Sequence, residues 1–445
     1  MREILKRFVY TRWSDPEKKR IVRGTAHSFV IQGISVALVF VGNLVLTRWA
    51  GADAYGKYVH IFNWVSILSV AVIGGREDLV LTEITRYHST GQPGRIAWLI
   101  QRTNVHVLLA WLLAGAGFLA AIFVFPIPTL HEYRTDFLIA WGAVYFTAFL
   151  TLNQSILQSL DHIRLSQVVE RLVRPFALIL FFALALYAGY AASSRLLIIV
   201  AETTLGASCL VLALLLFKNT GTYFAHREKR MAPERLTKKT VHFFLITMIT
   251  LLITKISMLV LPYFADRKEI GIFNISARFA DLIVYPFFLM HTVLPQLFAR
   301  HSLADVRQKQ SLYASSTRLM TVLCLPLLLI NVLAGKFLLG LFGPAFTSGY
   351  TALVLLSISQ FFYSLFGPAN TILMMQSQER QSVICLVIYV VLLTALNLVL
   401  VPLWGITGGA WSTLISCLVY NCLLAVRAYR FSGVLSPFFA FLVGR

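Results

Sequence analysis

Apolar residues are gathered into long runs along this chain, and mostly short polar connections separate them. A helix that crosses the hydrocarbon core of a bilayer needs about 20 mostly apolar residues. By that measure the pattern predicts twelve membrane helices, at 26–47, 58–75, 104–126, 137–157, 175–190, 196–217, 242–262, 279–297, 319–334, 350–375, 382–402 and 408–426. The fifth and ninth runs are short, and Gly367-Pro368 predicts a break in the tenth.

The composition agrees with this pattern and excludes a water-soluble enzyme. Apolar and aromatic residues make up 58% of the 445 residues, and charged residues make up only 13%. Soluble domains carry about 25% charged residues. Since only helices and closed barrels can span a bilayer, runs of this length predict an all-α polytopic membrane protein.

The basic residues predict the orientation of the helices. Of the 39 Lys and Arg residues, 30 lie in one set of alternate connections and 8 in the other, and Lys255 lies inside a helix. Connections rich in Lys and Arg face the cytoplasm. Both termini are therefore predicted to be cytoplasmic, in a multi-pass protein of the cytoplasmic (inner) membrane.

The longest polar connection divides the helices into two sets of six. The predicted organisation is a basic N-terminal segment, an N-lobe, a basic inter-lobe loop, a C-lobe and a tail, at 1–23, 24–217, 218–241, 242–430 and 431–445. An offset of 215 residues aligns Gly56 with Gly271, and an offset of 216 aligns Gly189 with Gly405. Equal helix numbers with the same polarity predict parallel repeats, with a substrate site between the halves.

Lys255 and Glu202 carry charge deep inside predicted helices, where each costs roughly 2.5–3.5 kcal/mol on insertion scales. Lys255 in the seventh helix and Glu202 in the sixth lie roughly 10 Å from the outer end, judged from the rise per residue. We interpret them as a charge pair that closes the outer side of a cavity, or as separate substrate and coupling sites. A structural ion pair, or snorkelling of Lys255 to the surface, are the alternatives.

Two arginines near helix ends are further candidates. Arg278 lies one turn from Asp281 and can pair with it. Arg76 follows Gly74-Gly75 at the inner end of the second helix. It belongs either to a solvated helix cap or to a cytoplasmic entrance where it meets an anionic group, since a guanidinium forks onto phosphate oxygens.

Amide side chains inside predicted helices can bond sugar hydroxyls, and they can equally bridge two helices. Four of them complete the candidate binding residues: Asn43, Asn63, Gln154 and Gln360. The sequence carries no residues at metal-ligand spacing, no phosphate-binding Gly-rich loop with Lys and no catalytic motif. It therefore predicts no enzyme, no metal and no cofactor, and it leaves coupling to a proton or sodium gradient open.

Three short motifs lie at predicted helix connections: Ala54-Tyr-Gly-Lys-Tyr58, Leu339-Gly-Leu-Phe-Gly-Pro-Ala-Phe-Thr-Ser-Gly-Tyr350 and Val401-Pro-Leu-Trp-Gly-Ile-Thr-Gly-Gly-Ala410. These motifs resemble those of the polysaccharide transporters of the multidrug/oligosaccharidyl-lipid/polysaccharide exporter superfamily. The resemblance implies two six-helix lobes around a central cavity. It also implies a flippase for a polyprenyl-diphosphate-linked oligosaccharide, used in the biosynthesis of O-antigen or exopolysaccharide. The expected partners are this substrate, membrane lipids and polysaccharide assembly proteins, and not nucleic acid.

The chain departs from that family in the seventh helix. Many members carry Arg-x-Asp there, where this chain carries Lys255-Ile-Ser257. The missing acid weakens the expectation of a cation site and leaves a positive wall suited to a diphosphate. A multidrug exporter of the same superfamily would favour acidic residues, and a membrane-embedded glycan polymerase or ligase would need a large outer loop. Both remain alternatives, as does a non-transporting scaffold.

Overall fold

The computed structural model describes residues 16–124, 133–224, 234–286, 306–376 and 378–436, which form helices and no strand. The helices are α1 (Pro16–Ile73), α2 (Arg76–Ser89), α3 (Pro93–Val124), α4 (Arg134–Ile139), α5 (Trp141–Ser159), α6 (Ile163–Val168), α7 (Arg174–Tyr187), α8 (Ser194–Phe224), α9 (Glu234–Val260), α10 (Arg267–Asp281), α11 (Val306–Phe342), α12 (Tyr350–Leu365), α13 (Ala369–Met375) and α14 (Glu379–Ser432). Parts of the predicted N-terminal segment, inter-lobe loop, eighth helix and tail lie outside the described residues.

Two helices are bent at a glycine, and each contains two of the predicted membrane helices. α1 leaves helical geometry at Gly51 (φ 79°, ψ 171°), and α14 does so at Gly405 (φ 54°, ψ −132°). Glycine adopts a positive φ at little cost because it has no Cβ. The first and second predicted helices are therefore the two parts of α1, and the eleventh and twelfth are the two parts of α14.

The described residues contain eight helices that are long and apolar enough to cross a membrane. With the two bends, they account for ten of the twelve predicted helices. The fifth is α7, which continues α6 without interruption through a π-helical turn at Val169–Val173. The predicted break at Gly367-Pro368 is confirmed, since α12 ends at Leu365 and α13 begins at Ala369.

The eighth predicted helix begins earlier than its apolar run. α10 starts at Arg267 rather than at residue 279, so Arg278 lies three turns inside a helix and not at its start. The first turn carries charged residues, and apolar side chains that follow it, such as Ile270 and Phe273, are buried. A search for a continuous apolar run misses such an amphipathic helix.

The chain forms two compact units. The first comprises Met1–Val45, Leu68–Ala191 and Ile198–Phe244, and the second comprises Leu46–Ile67, Ala192–Leu197 and Leu245–Arg445. Within the second unit, buried side chains of α11, α13 and α14 form a core that includes Tyr313, Ile372 and Leu424. The lobe boundaries at 24–217 and 242–430 stay a prediction.

The second part of α1 crosses α10, within the second unit, at the two glycines that the 215-residue offset aligns. A Cβ added to Gly56 would overlap the carbonyl oxygen of Arg267, and one added to Gly271 would lie 3.0 Å from the carbonyl oxygen of Ala52. Ala52 and Arg267 are themselves 215 residues apart, so the contact is reciprocal. Small residues let membrane helices approach this closely. Two copies related by a two-fold axis make contacts of this form, which supports the internal repeat.

Candidate functional site

Two of the sequence candidates meet in the second unit. The Nζ of Lys255 in α9 donates a hydrogen bond of 2.9 Å to Oδ1 of Asn63 in the second part of α1. Lys255 is half-buried and Asn63 is buried. The amide oxygen replaces part of the water that the ammonium loses on burial, and a hydrogen bond to a charged donor is stronger than a neutral one.

A second amide serves the Arg278 side chain. The Nε of Arg278 donates to Oδ1 of Asn274, one turn earlier in α10, at 3.0 Å. The hydroxyl of the fully buried Tyr55 donates to the same oxygen at 3.2 Å. Asn274 therefore orients the guanidinium and holds it against the second part of α1.

Asp281 accepts a hydrogen bond from Gln360, the fourth sequence candidate in this unit. Nε2 of Gln360 in α12 donates to Oδ1 of Asp281 at 3.0 Å. Arg278 and Asp281 therefore each have an amide partner instead of pairing directly with each other. Lys255 lies within electrostatic range of both residues.

These side chains form one polar group, which we call the Lys255 cluster: Tyr55, Asn63, Lys255, Asn274, Arg278, Asp281 and Gln360. Its ionisable members on α9 and α10 are two cations, Lys255 and Arg278, and one carboxylate, Asp281. The cluster is therefore net positive when all three are charged, and its amides add donors and acceptors beside the cations. Such a surface can bind an anion together with hydroxyl groups.

Glu202 lies in the first unit, on α8. Its carboxylate occupies the space that a Cβ on Gly142 of α5 would fill. The side chain is half-buried, and no hydrogen-bond or ion-pair partner for it occurs in the described part of the chain. A carboxylate in this position is suited to bind a proton or a cation. Its proposed pairing with Lys255 stays a prediction.

The remaining amide candidates differ in how their groups are used. The Nδ2 of Asn43 donates to the carbonyl of Val39 in its own helix at 2.7 Å. Gln154 on α5 is buried, and its Nε2 has no hydrogen-bond partner within the described ranges. Beside it, Asn153 and Asn104 exchange two amide hydrogen bonds of 3.0 and 3.2 Å, which join α5 to α3.

Arg76 lies at the start of α2 in the first unit. Its Nη1 donates to the carbonyl of Ile73 at 2.7 Å, so it caps the end of α1. Burial lowers the pKa of the Arg76 guanidinium, and the neighbouring Glu77 carboxylate opposes this shift. The Arg76 guanidinium is thus half-buried, and in the described residues one carbonyl is its hydrogen-bond partner.

Sequence reasoning missed Asn274 and Tyr55. The sequence predicts that residues 263–278 connect the seventh and eighth helices outside the membrane, and polar residues are expected in such a connection. The spacing of four between Asn274 and Arg278 is a usable signal once α10 is known to be a helix. No group of three His, Cys, Asp or Glu side chains in the described ranges could hold a metal ion.

Comparison with known proteins adds a family. Residues 21–300 match the family model described as polysaccharide biosynthesis protein. A probable flippase, AglR of Haloferax volcanii, is 26% identical over 178 residues, which are 38% of this chain and 36% of that protein. The match thus spans about a third of that relative.

Solved structures share the fold over nearly the whole chain. An inward-facing multidrug resistance MATE transporter of the MOP superfamily has a TM-score of 0.70 at 13% identity, covering 91% of this chain and 99% of that one. Lipid II flippase MurJ in an inward closed conformation has a TM-score of 0.69 at 12% identity, covering 90% and 87%. These likenesses confirm the all-α polytopic membrane fold. Because the family model matches well over half of its length, the chain belongs to the polysaccharide biosynthesis protein family.

Proposed function

We propose that the protein is a flippase that carries a polyprenyl-diphosphate-linked oligosaccharide across the cytoplasmic membrane by alternating access, for the assembly of cell-surface polysaccharide. The head group of such a lipid bears phosphates and many hydroxyls. Each polar group that crosses hydrocarbon without a hydrogen-bond partner costs several kcal/mol. A protein path that supplies partners lowers this cost, and no covalent step is needed.

The observation that carries the proposal is the Lys255 cluster. Lys255 and Arg278 supply two positive charges, and Asn63 and Gln360 stand beside them with amide groups that can bond hydroxyls. Diphosphate and sugar chemistry are thus matched within one unit. Family membership supports the same proposal, as do the flippase names of AglR and MurJ.

A multidrug exporter is the second candidate. Glu202 favours it, because a half-buried carboxylate with no partner in the described residues suits a cationic drug. The MATE fold supports it as well. Against it stands the excess of cations in the Lys255 cluster, which repels a cationic substrate.

Leaflet-resolved transport tests the proposal. The purified protein is reconstituted into vesicles that hold a fluorescent oligosaccharide linked to a polyprenyl diphosphate, and a membrane-impermeant reductant bleaches the label in the outer leaflet. We expect the protein to make the inner-leaflet label accessible as well. Lys255→Gln should slow this process, and Lys336→Gln should not, because Lys336 is exposed and lies over the Tyr350 ring outside the cluster.

Two results would contradict the flippase. One is bleaching limited to the outer leaflet at every protein density. The other is protein-dependent efflux of a cationic dye that is lost in Glu202→Gln and unaffected in Lys255→Gln, which would establish the exporter instead.

The proposed orientation has its own test. Both termini and the loop 218–241 are assigned to the cytoplasm because 30 of the 39 basic residues belong to that side. A cysteine at Thr222 should react with an impermeant maleimide only after the cells are opened, with the unsubstituted protein as background for its five native cysteines. Labelling on intact cells would reverse the orientation.

A further inference from the structure

The first unit contains a cavity of ≈ 420 Å³ beside Arg76. Its lining comes from the end of α1, from α2 and α3, and from the start of α9, and we call it the Arg76 cavity. The residues that matter for its chemistry are Arg76, Arg102, Thr103, His106, Thr240 and Phe244. A cavity of roughly 300–1,000 Å³ is the size that small ligands occupy.

Two glycines create this cavity. Gly74 and Gly75 both have a left-handed backbone, with φ of 59° and 74°. A Cβ on Gly74 would lie 2.8 Å from Nη1 of Arg76, so the guanidinium folds back over Gly74. A Cβ on Gly75 would overlap the backbone of Phe244, so α9 reaches this point only because residue 75 lacks a side chain. The Gly74-Gly75 turn thus fixes the position of the Arg76 guanidinium and lets α9 form the opposite wall of the cavity.

The two arginines of the described lining, Arg76 and Arg102, make the cavity positively charged. Arg76 and Arg102 both interact electrostatically with His106, one turn beyond Arg102 on α3. The Arg102 guanidinium lies 4.8 Å from the centre of the Trp98 ring. Among the described lining residues there is no Asp or Glu, and Glu77, which follows Arg76, is not part of the lining.

Cations that are gathered and half-buried repel one another, and each loses water. Hydrogen bonds to a carbonyl and contact with an aromatic ring compensate in part. An anion with several oxygens would compensate far better, because guanidinium groups bond phosphate oxygens through paired N–H donors. The Arg76 cavity therefore has the size and the charge of a site that binds an anion.

The location fits the ligand that the proposed function provides. Arg76 follows the second predicted helix, Arg102 precedes the third by two residues, and Thr240 precedes the seventh by two. All three positions lie within two residues of predicted membrane-helix ends that the distribution of basic residues assigns to the cytoplasm. Phosphates of a lipid carrier lie at this level of a bilayer, between water and hydrocarbon.

We infer that the Arg76 cavity is a binding site for a diphosphate group, separate from the Lys255 cluster. Arg76 and Arg102 bind its oxygens, and His106 and the Thr240 backbone region close the remaining sides. A lipid-linked diphosphate and free diphosphate share this chemistry. The lipid as the natural source rests on the proposed flippase function, whereas the recognition of diphosphate does not.

Binding to the purified full chain tests the inference with two probes, inorganic diphosphate and farnesyl diphosphate. Thermal stabilisation reports binding, and tryptophan fluorescence reports the surroundings of Trp98, since a ligand that draws Arg102 away changes its contact with that ring. Arg76→Gln and Arg102→Gln should each weaken binding at least about tenfold, the loss of one charge-assisted hydrogen bond. Arg95→Gln is the matched control, because it removes the same charge from the same helix outside the cavity.

Three comparisons decide the result. Trp98→Phe should remove the binding-dependent fluorescence change and keep the thermal stabilisation, which places the ligand beside that ring. Tighter binding of farnesyl diphosphate identifies the lipid source, and equal binding of both probes identifies free diphosphate. No stabilisation by either probe, or binding that Lys255→Gln weakens and Arg76→Gln and Arg102→Gln leave intact, would overturn the inference.

Folding and function are separated by further controls. Arg76→Lys keeps the charge, so it should fold and recover part of the affinity if Arg76→Gln is merely unstable. A chain that binds diphosphate in this cavity but moves no lipid-linked sugar would refute the flippase and leave the site. A chain that moves the lipid with both arginines replaced would refute the site as part of transport and leave the flippase.

Discussion

The Lys255 cluster and the Arg76 cavity are both rich in positive charge, but they satisfy that charge in opposite ways. In the cluster, Lys255 and Arg278 each have an amide partner, and Asp281 interacts electrostatically with both as a counter-charge. In the cavity, Arg76, Arg102 and His106 face a space with no acidic lining among the described residues. The first region stabilises its charges internally, and the second leaves them for a ligand.

This difference indicates two roles. A network that is internally bonded has a defined geometry and changes it only when another set of partners is offered, as in a conformational transition. A cavity whose cations are compensated only in part, by a carbonyl and an aromatic ring, gains further free energy when an anion binds. We therefore propose that the Lys255 cluster takes part in the movement of the substrate and that the Arg76 cavity captures it first.

The largest effect should come from Gly56→Ala, which attacks the Lys255 cluster through its backbone. The new Cβ would overlap the Arg267 carbonyl, so the second part of α1, which carries Asn63, must move away from α10. Overpacking costs about 1–3 kcal/mol or more. Transport in vesicles should fall to the level without protein, while diphosphate binding at the Arg76 cavity persists.

Gly117→Ala is the control for that substitution, because no atom lies within 4 Å of the position its Cβ would take. It should leave transport and melting temperature unchanged. If Gly56→Ala transports at the normal rate, then the close crossing of α1 and α10 does not hold the cluster in place.

Lys255→Ala should have the next largest effect. Removing the charged donor of a hydrogen bond costs about 1.5–3 kcal/mol, and the upper value corresponds to a loss of about a hundredfold in transport rate. Asn63→Ala should lose less, about tenfold, because the charge itself remains. Initial rates of label movement measure both, and additive losses in the double variant would show that the two side chains act independently.

Substitutions of Lys255 and Glu202 distinguish two roles for Lys255, which either closes the outer side of the cavity or binds the diphosphate. If Lys255 pairs with Glu202 when the outer side is closed, then Glu202→Ala should also impair export, and the charge-swapped double variant should restore part of it. If Lys255 anchors the diphosphate, then Glu202→Ala should be mild and the swap should rescue nothing. Transport by the four proteins at equal density decides between them.

Arg76→Ala should reduce transport by about tenfold, through a higher substrate concentration for half-maximal rate rather than a lower maximal rate. The reason is that a capture site contributes binding, whereas the cluster contributes the later step. Arg76→Lys should recover only part, since an ammonium cannot fork onto two oxygens. Full activity of Arg76→Ala at low substrate concentration would show that Arg76 caps a helix and does not bind the substrate.

The smallest effect should come from Asn104→Ala. Its two amide hydrogen bonds with Asn153 join α3 to α5 in the same unit as the cavity, but neither residue lines it. Hydrogen bonds between membrane helices contribute about 0.6 kcal/mol on average and at most about 1.7. A slightly lower melting temperature with unchanged transport is expected, and a strong loss of transport would extend the functional surface to α5.

The sequence predicts most of the helices, because bilayer thickness imposes a length on every apolar run, but it misses the first three turns of α10. The sequence also indicates Lys255 and Asn63 as separate candidates, because a polar side chain inside a membrane helix is costly unless it has a partner or a function. Their pairing could not be predicted, because hydropathy contains no information on which side of a helix faces another. Residue spacing along one helix shows a shared face, but Lys255 and Asn63 are 192 residues apart.

The cavity was less predictable still. Arg102 lies in a connection where arginine is expected merely from orientation, so it carried no signal of its own. His106 has no partner at metal-ligand spacing in the sequence, so nothing there indicates a role for it. Their meeting depends on the Gly74-Gly75 turn and on the approach of α9, which are tertiary features. Arg76 was selected because its position after that turn was already visible in the chain.

The reciprocal crossing of Gly56 and Gly271 has a consequence for the ancestry of the gene. A contact repeated at a constant offset is the form that a symmetric homodimer makes with a single kind of residue. A gene that encoded one half would have needed one glycine codon to serve both sides of that crossing. In the fused chain that the predicted repeat implies, each glycine is a separate mutational target, and neither can compensate for the loss of the other, because each makes room for the opposite backbone. The predicted repeat therefore implies that divergence between the halves is constrained at two codons instead of one.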